Sequence, residues 1–249
     1  THRRQRQMCI RDRRQGQALT VVANRSRDRM VARHVQIAWP LVGEARRGPG
    51  GAITVNGARV TREPNALGRL VPGERVAVRG FWTPGGLVAS RIEPAGASRD
   101  LVAGVAERAG PAALRVEGGP ERLAAGLARP RSGDYVNLFG GHDGSAFVAE
   151  NLRAGRFVTG AASLRQLSVE GYLEPVADAP GFRIAGLGHS FARDVRLGAL
   201  ARRRAVYFGR YDGLFGASAG YVVPEDFAAR RRLLRDGYGD FGGTVVRTR

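Results

Sequence analysis

The sequence predicts an all-β protein built from tandem small OB-like β-barrels with a short C-terminal helix. Two observations predict this class. One motif recurs roughly every 60 residues. It consists of a Gly-containing turn, a short alternating strand and a closing strand with Val-Ala. The 249-residue chain also holds 36 Gly and 12 Pro, a composition typical of short strands joined by many turns.

The recurring motif divides the chain into modules. Its clearest copies span residues 73–80 with 87–92 and residues 133–140 with 147–152. Their spacing predicts the following units: a disordered or artefactual arm (1–15), a partial β module that is the closing half of a truncated repeat (16–37), three OB-like barrels (38–96, 97–155 and 156–223), a C-terminal helix (224–237) and a tail (238–249).

Local turn chemistry predicts the elements within these modules. Asn56-Gly57 lies between alternating apolar residues and predicts a hairpin, because both turn positions need a positive φ. A second hairpin is expected around residues 83–86. Residues 63–72 are expected to form a polar loop, and the corresponding residues 120–129 to form one or two helical turns.

Residues 224–237 carry the start and stop signals of a helix. Pro and acidic residues begin the segment 224–237, Arg residues lie towards its end, and Gly237 closes it. Phe227 and Leu234 are expected to face inward. Residues 238–249 are expected to be a frayed tail.

The N-terminal part of the chain differs from the rest. Residues 16–37 hold only two predicted strands, and a lone hairpin is marginal in water. We expect it either to complete a barrel whose first half is absent or to pair onto the next module. Residues 5–13 resemble translated read-through of a sequencing adaptor. The chain is therefore expected to be a metagenomic fragment without its true N-terminus or export signal.

The sequence offers no catalytic constellation. Residues 216–220 read Gly-Ala-Ser-Ala-Gly, which matches the nucleophile-elbow pattern, but a strand follows where a helix is needed and no His lies beyond His189. His34, His142 and His189 fall in different modules without metal-ligand spacing, and Cys9 is the only cysteine. We therefore predict no enzymatic activity, no catalytic residue, no cofactor and no metal.

The net charge of +18 at first indicates a nucleic-acid partner. All 40 basic residues are Arg and none is Lys, a bias that a GC-rich genome would produce on its own. Internal runs of Arg occur only at 202–204 and 230–232. No apolar run approaches the roughly 18 residues that cross a bilayer, so no transmembrane segment is expected.

Aromatic and basic residues lie close together on the predicted strands. OB barrels bind single strands by stacking bases on exposed rings in a basic groove, at about 1–3 kcal/mol per base. The competing interpretation is that the rings fill the barrel cores, in which case alternation places Tyr207 and Phe208 on opposite faces. Trp82 is the ring most expected to be exposed. The candidate ligand-contact surface comprises Trp82, Arg79, Phe81, Tyr211 and Arg210.

Three stretches carry a family resemblance: the Gly-Glu-Arg-Val-Ala-Val-Arg-Gly strand at 73–80, the Val-Asn-Gly turn at 55–57 and the Val-Ala-Ser-Arg-Ile-Glu strand at 88–93. They resemble the bacterial domain of unknown function 5666. The likeness is good over residues 41–94, fair over 97–155, and weaker beyond. Members of that family resemble exported or envelope proteins without an assigned activity.

The repeat, this resemblance and the absence of a catalytic constellation together predict a non-enzymatic binding or scaffold protein of the bacterial cell envelope, of unknown specific function. Its location is expected to be periplasmic or extracellular, and its expected partner is a protein or an envelope polymer. The alternative is a single-stranded nucleic-acid-binding OB-fold protein. That alternative predicts an affinity that falls steeply with salt and is lost when Trp82 or Arg79 is replaced by Ala.

Overall fold

The chain folds almost entirely into β-strands, which confirms the predicted all-β class. A computed structural model describes residues 19–26, 29–37, 39–108, 113–116, 119, 121–123, 130, 134–143, 146–154, 166–175, 182–184, 190–192, 199–200, 202–211, 215–224, 226, 229 and 245–247. Within these residues the elements are strands β1 to β18 and one 3-10 turn at Pro49–Gly51, with no α-helical element.

The first closed barrel, barrel 1, contains five strands: β3 (Leu41–Arg47), β4 (Ile53–Val55), β5 (Ala58–Leu67), β6 (Arg75–Thr83) and β7 (Gly86–Pro94). The strands are paired in the ring order β3-β4-β5-β7-β6, and β6 returns to β3. The β5–β7 pairing is parallel, whereas the other four pairings are antiparallel. A five-stranded closed barrel of this kind is an OB-type architecture.

Two further barrels repeat this topology. Barrel 2 consists of β8 (Asp100–Arg108), β9 (Ala113–Val116), β10 (Glu121–Leu123), β11 (Tyr135–His142) and β12 (Phe147–Ala154). Barrel 3 consists of β13 (Gln166–Pro175), β14 (Phe182–Ile184), β15 (Ser190–Ala192), β16 (Arg204–Tyr211) and β17 (Phe215–Val222). In each, the third and fifth strands pair in parallel. The predicted tandem OB-like barrels are thus confirmed, while the domain boundaries themselves stay a prediction.

The final Gly of the repeated motif is a bulge residue in every barrel. The register of the closing hairpin shifts at Arg79/Gly80 in barrel 1, at Phe139/Gly140 in barrel 2 and at Phe208/Gly209 in barrel 3. A Cβ atom on these glycines would lie 2.0, 1.9 and 1.7 Å from a carbonyl oxygen of the facing strand. The motif therefore ends in Gly because the two backbones approach too closely for any side chain.

The predicted turns are confirmed where they depend on local chemistry. Asn56 and Gly57 both have positive φ, 49° and 74°, and they connect β4 to β5 as expected of a two-residue hairpin turn. Thr83 pairs with Gly86 at the end of the second hairpin. These turns set the register of barrel 1.

Three predictions of irregular structure are wrong. Residues 63–72 were expected to form a loop, but β5 continues to Leu67 and pairs there with Arg91 of β7. The helical turns expected from residue 120 are replaced at 121–123 by β10, which pairs with β9 and β12. The tail includes β18 (Val245–Arg247), which pairs antiparallel with β17. In each segment the described strand pairs with a strand that is distant in sequence, which satisfies its backbone groups there.

The partial module forms an antiparallel hairpin of β1 (Leu19–Ser26) and β2 (Arg29–Ile37), with a register shift at Val22/Ala23. It is a separate two-stranded sheet, so the described strands do not pair it onto barrel 1.

Of the predicted helix 224–237, only residues 224, 226 and 229 are described, and the inward positions of Phe227 and Leu234 lie outside the described residues. The arm 1–15 also lies outside them.

Barrels 1 and 2 are joined side by side. The first strand of barrel 1, β3, pairs with the first strand of barrel 2, β8, through Leu41 with Val102 and Val42 with Leu101. One hydrophobic core runs through both barrels, from Leu41 to Ala149 in the sequence. Barrel 3 has a core of its own around Leu173, Ile184, Leu200, Ala205 and Tyr207.

Candidate functional site

The two residues expected to lead the ligand-contact surface are buried. Trp82 is 3% exposed, so the prediction that it is the exposed ring is wrong. Its indole Nε1–H donates a 2.8 Å hydrogen bond to the carbonyl oxygen of Ala103 in barrel 2. Arg79 is only 2% exposed. Neither side chain is available to stack on or pair with a base.

Arg79 lies beneath an aromatic ring that belongs to the segment before barrel 1. Its guanidinium carbon is 3.9 Å from the ring centroid of Trp39, which is itself 38% exposed. This is the geometry of a cation–π contact. Trp39, and not Trp82, is the tryptophan at the surface, and one face of its ring is covered by Arg79.

A carboxylate also binds Arg79. Nε and Nη2 of Arg79 both lie 2.7 Å from Oε2 of Glu93, and Nε of Arg91 lies 2.9 Å from Oε1 of the same carboxylate. The Nη1 atom of Arg79 is buried without a hydrogen-bond partner among the described residues. Glu93 therefore bridges two guanidinium groups.

The contacts in this cluster change the pKa of both Arg79 and Glu93. Burial lowers the pKa of Arg79 below its ordinary value, although the hydrogen bond and charge of Glu93 oppose the shift. Burial alone would raise the pKa of Glu93, but hydrogen bonds from Arg91 and Arg79, with their positive charges, lower it below its usual range. The cluster is a carboxylate shared by two guanidinium groups within the fold.

Phe81 also makes its basic contact inside the protein. The guanidinium carbon of Arg204, in barrel 3, lies 4.4 Å from the Phe81 ring centroid. Nη1 of Arg204 forms an ion pair with Glu63 of barrel 1, and its Nε donates a 2.6 Å hydrogen bond to Glu170 of barrel 3. Arg204 therefore connects the two barrels through a ring and two carboxylates.

The remaining two candidates lie at the far end of barrel 3. Arg210 is exposed near the end of β16, and the side chain of Tyr211 lies outside the described residues. The structure therefore brings together Arg79 and Trp39, and Phe81 and Arg204, but it does not unite the five predicted residues into one surface. Tyr207 is fully buried and Phe208 is half-buried, which confirms the predicted alternation.

The same position carries a different contact in each barrel. The residue before the bulge glycine is Arg79, Phe139 or Phe208, and in each case it meets a side chain diagonally across the hairpin. Arg79 pairs with Glu93. The Phe139 ring lies 5.6 Å from the guanidinium carbon of Arg153, and Phe208 packs edge-on against Tyr221 with 5.5 Å between centroids.

Two buried residues between barrels 1 and 2 make contacts that the sequence did not predict. Asn56 is buried, and its Nδ2 donates a 2.7 Å hydrogen bond to the carbonyl oxygen of Val42 and lies 3.5 Å from that of Leu101. Gly104 faces Trp82, because a Cβ there would lie 3.0 Å from the indole nitrogen. A signal was present in the sequence, since Gly recurs in the first strand of all three barrels as Gly43, Gly104 and Gly171.

The candidate catalytic and metal-binding motifs of the sequence show no catalytic geometry in the described residues. Residues 216–220 lie within strand β17, so the elbow pattern has neither its sharp turn nor its helix. His142 lies in β11 with Nδ1 3.3 Å from Nη1 of Arg46, His34 lies in β2, and His189 falls outside the described residues. Among the residues that the structure describes, no three His, Cys, Asp or Glu side chains converge on a point that could hold a metal ion.

The described part of the chain also contains no helix with the length and apolar character needed to span a bilayer.

Fold and site together define a protein of tandem OB-type barrels whose basic and aromatic residues contact one another within and between the barrels. The chain matches no family model, no curated protein and no solved structure. The resemblance to the domain of unknown function 5666 therefore stays a prediction.

Proposed function

We propose that this chain is a non-enzymatic scaffold protein in which tandem barrels form one fixed array. The observation that carries the proposal is that basic and aromatic side chains make contacts between the barrels. Arg204 of barrel 3 contacts Phe81 and Glu63 of barrel 1, and Trp82 of barrel 1 donates to Ala103 of barrel 2. If these basic and aromatic side chains lay together on an exposed surface, they would favour ligand binding instead.

The contacts between the barrels support a fixed array because they are of different kinds. Barrels 1 and 2 share a backbone ladder between β3 and β8 and a common apolar core, which resist rotation of one barrel against the other. Barrels 1 and 3 meet through Arg204, which is mostly buried and charge-paired on both sides. A partly desolvated guanidinium with fixed carboxylate partners has a defined orientation.

The array can be tested by measuring the distance between barrels 1 and 3. The native Cys9 is replaced by Ser, and spin labels are attached to Arg69→Cys in barrel 1 and Arg210→Cys in barrel 3, both exposed positions. Electron–electron double resonance should give one narrow distance distribution. Arg204→Ala should broaden it, whereas Arg203→Ala, an exposed neighbour, should not. A broad distribution in the unsubstituted protein would contradict a fixed array.

The envelope location is a further part of the proposal, and its support is the sequence resemblance of residues 41–94. Fractionation of cells that express the native gene, with antibody against this chain, tests it directly. Recovery with the envelope or periplasmic fraction supports the location. Recovery only with the cytosol contradicts the location while leaving the scaffold proposal open to the distance measurement.

The net charge of +18 favours a second candidate, a single-stranded nucleic-acid binder. The buried state of Trp82 and Arg79 removes the two side chains on which that candidate depended. Fluorescence anisotropy with a labelled oligo-dT at low salt, about 20 mM, distinguishes the two. The scaffold proposal expects weak binding that Trp39→Ala leaves unchanged. Tight binding that Trp39→Ala abolishes would favour the nucleic-acid function, since Trp39 is the exposed ring.

A further inference from the structure

The β1–β2 hairpin has the geometry of a barrel-closing hairpin. In barrel 1, two residues separate β6 from β7, and the register shift falls four residues before that turn, at Arg79/Gly80. In the N-terminal hairpin, two residues separate β1 from β2, and the shift again falls four residues before the turn, at Val22/Ala23. The two hairpins are therefore aligned residue by residue, and β1 corresponds to β6.

This alignment identifies an uncovered core position. The position to compare lies two residues before the bulge glycine. It is Val78 in barrel 1, Leu138 in barrel 2 and Tyr207 in barrel 3, and each is 0% exposed. The corresponding residue of β1 is Val21, which is 50% exposed. A side chain that forms the barrel core in three copies of the repeat thus remains at the surface in the fourth.

The three closed barrels also show which strand covers that position. β6, β11 and β16 each pair, on the edge away from their hairpin partner, with the first strand of their own barrel in antiparallel orientation. The residues that face the core positions begin an apolar-x-Gly sequence in each case. These sequences are Leu41 to Gly43, Val102 to Gly104 and Val169 to Gly171.

Most of the β1 edge lacks the residues that normally protect an exposed edge strand. Residues 19–24 contain no charge and no Pro, and Arg25, beside the turn, is the one charged residue of the strand. β2 differs, because Arg29 and Arg33 lie along it. A two-stranded sheet also has little stability of its own in water, so pairing at β1 would stabilise the hairpin.

We propose that the β1 edge is a docking site for a three-stranded segment of the same repeat. Its first strand, of apolar-x-Gly sequence, pairs antiparallel with β1 and places its apolar residue opposite Val21. The occupant is a separate segment of this type and not a second copy of the described chain, whose own first strands are already paired within their barrels. This is strand addition at a sheet edge, and it does not depend on the scaffold proposal.

The test uses the isotope-labelled full chain and a synthetic peptide with the sequence of residues 40–67, which covers β3, β4 and β5. The peptide has four Arg and two Glu, so it is not attracted electrostatically to the basic protein. Amide hydrogen exchange of residues 19–24 should slow at least about tenfold and saturate with peptide, because pairing protects edge amides. Absence of such protection at saturating peptide overturns the proposal.

Two variants of the exposed position sharpen the test. Val21→Lys should weaken peptide binding at least about tenfold, because docking would bury the ammonium group, whereas Val21→Ile should change it by less than about threefold. Equal effects of the two variants contradict burial of residue 21. Protection of β1 that rises with protein concentration without peptide, with a doubled mass, overturns the proposal in favour of a second copy.

Discussion

Barrels 1 and 3 have the same strand order but different chemistry at the residue before the bulge. In barrel 1 this residue is Arg79, which is buried between Trp39 and Glu93. In barrel 3 it is Phe208, which packs edge-on against Tyr221. Both barrels have the bulge at the same point of the motif, and in both a Cβ on the bulge glycine would clash with a carbonyl oxygen.

The difference shows which parts of the repeat define the fold. The close approach at the bulge is a backbone requirement and does not vary. The diagonal pair beside it lies on the face away from the barrel interior, and it is an ion pair in barrel 1 and an aromatic pair in barrel 3. In barrel 1 Trp39, from outside the ring of strands, covers Arg79. The residue before the bulge therefore varies between barrels, while the bulge itself does not.

The largest effect is expected at the bulge, which the barrels share. Gly140→Ala should destabilise barrel 2 by about 3 kcal/mol, because its Cβ would lie 1.9 Å from the Val148 carbonyl oxygen. Gly141→Ala is the matched control, since nothing lies within 4 Å of its Cβ, and it should change stability by less than about 0.5 kcal/mol. Urea unfolding followed by tryptophan fluorescence measures both. Equal losses would mean that the bulge is not the shared constraint.

The next effect tests whether the diagonal pairs are interchangeable. Arg79→Leu should cost about 2 kcal/mol, less than for a fully buried pair, because Glu93 keeps Arg91 as a partner. The double change Arg79→Phe with Glu93→Tyr installs the barrel 3 pair and should recover at least half of that loss. Thermal unfolding of the single and double variants gives the comparison. A double variant less stable than the single one would show that barrel 1 requires the ion pair.

Acid should affect barrel 1 through Glu93. Its pKa is lowered in the folded state, so the stability it contributes is present above the unfolded value of about 4.3 and is lost as pH falls through the folded value. Glu93→Gln should cost about 1.5 kcal/mol at pH 7. Because protonated Glu93 resembles Gln, the difference should vanish in acid. Urea midpoints between pH 7 and pH 2 test this, and a difference that persists in acid would contradict it.

The smallest effect belongs to the core of barrel 3. The Tyr207 hydroxyl is buried without a hydrogen-bond partner among the described residues, so Tyr207→Phe should stabilise the protein by up to about 1 kcal/mol. Burial raises the pKa of Tyr207, so the folded state favours the protonated phenol. The wild type should gradually lose that stability above the unfolded value of about 10, and Tyr207→Phe should not. Exchange rates of barrel 3 amides report both.

Local chemistry made part of this fold predictable from the sequence. Asn56-Gly57 dictates its own turn through positive φ, and the closing hairpin of each barrel follows from alternation and turn residues. The short strands β10, β15 and β18 were not predicted. Each has only three residues, too few for a periodicity to show, and each pairs with a strand far away in the chain. β10 and β15 also pair with the strand just before them.

The candidate site was less predictable, because Trp82 and Arg79 were expected at the surface and are buried. Alternation along β6 does not reveal that Trp82 finds a hydrogen-bond acceptor in a neighbouring barrel. Nor does it reveal that Arg204, 123 residues beyond Phe81 in the sequence, covers that ring. Contacts between modules depend on how the barrels are placed, which a single sequence does not encode locally.

The core shared by barrels 1 and 2 makes these two repeats one cooperative unit. In repeat arrays, stability is the sum of the intrinsic stability of each repeat and the coupling between neighbours. A continuous core with a backbone ladder across the boundary gives a strong coupling, whereas the separate core of barrel 3 gives a weaker one. The three-barrel chain should therefore melt in two steps, with barrel 3 as one and the other two barrels together as the second.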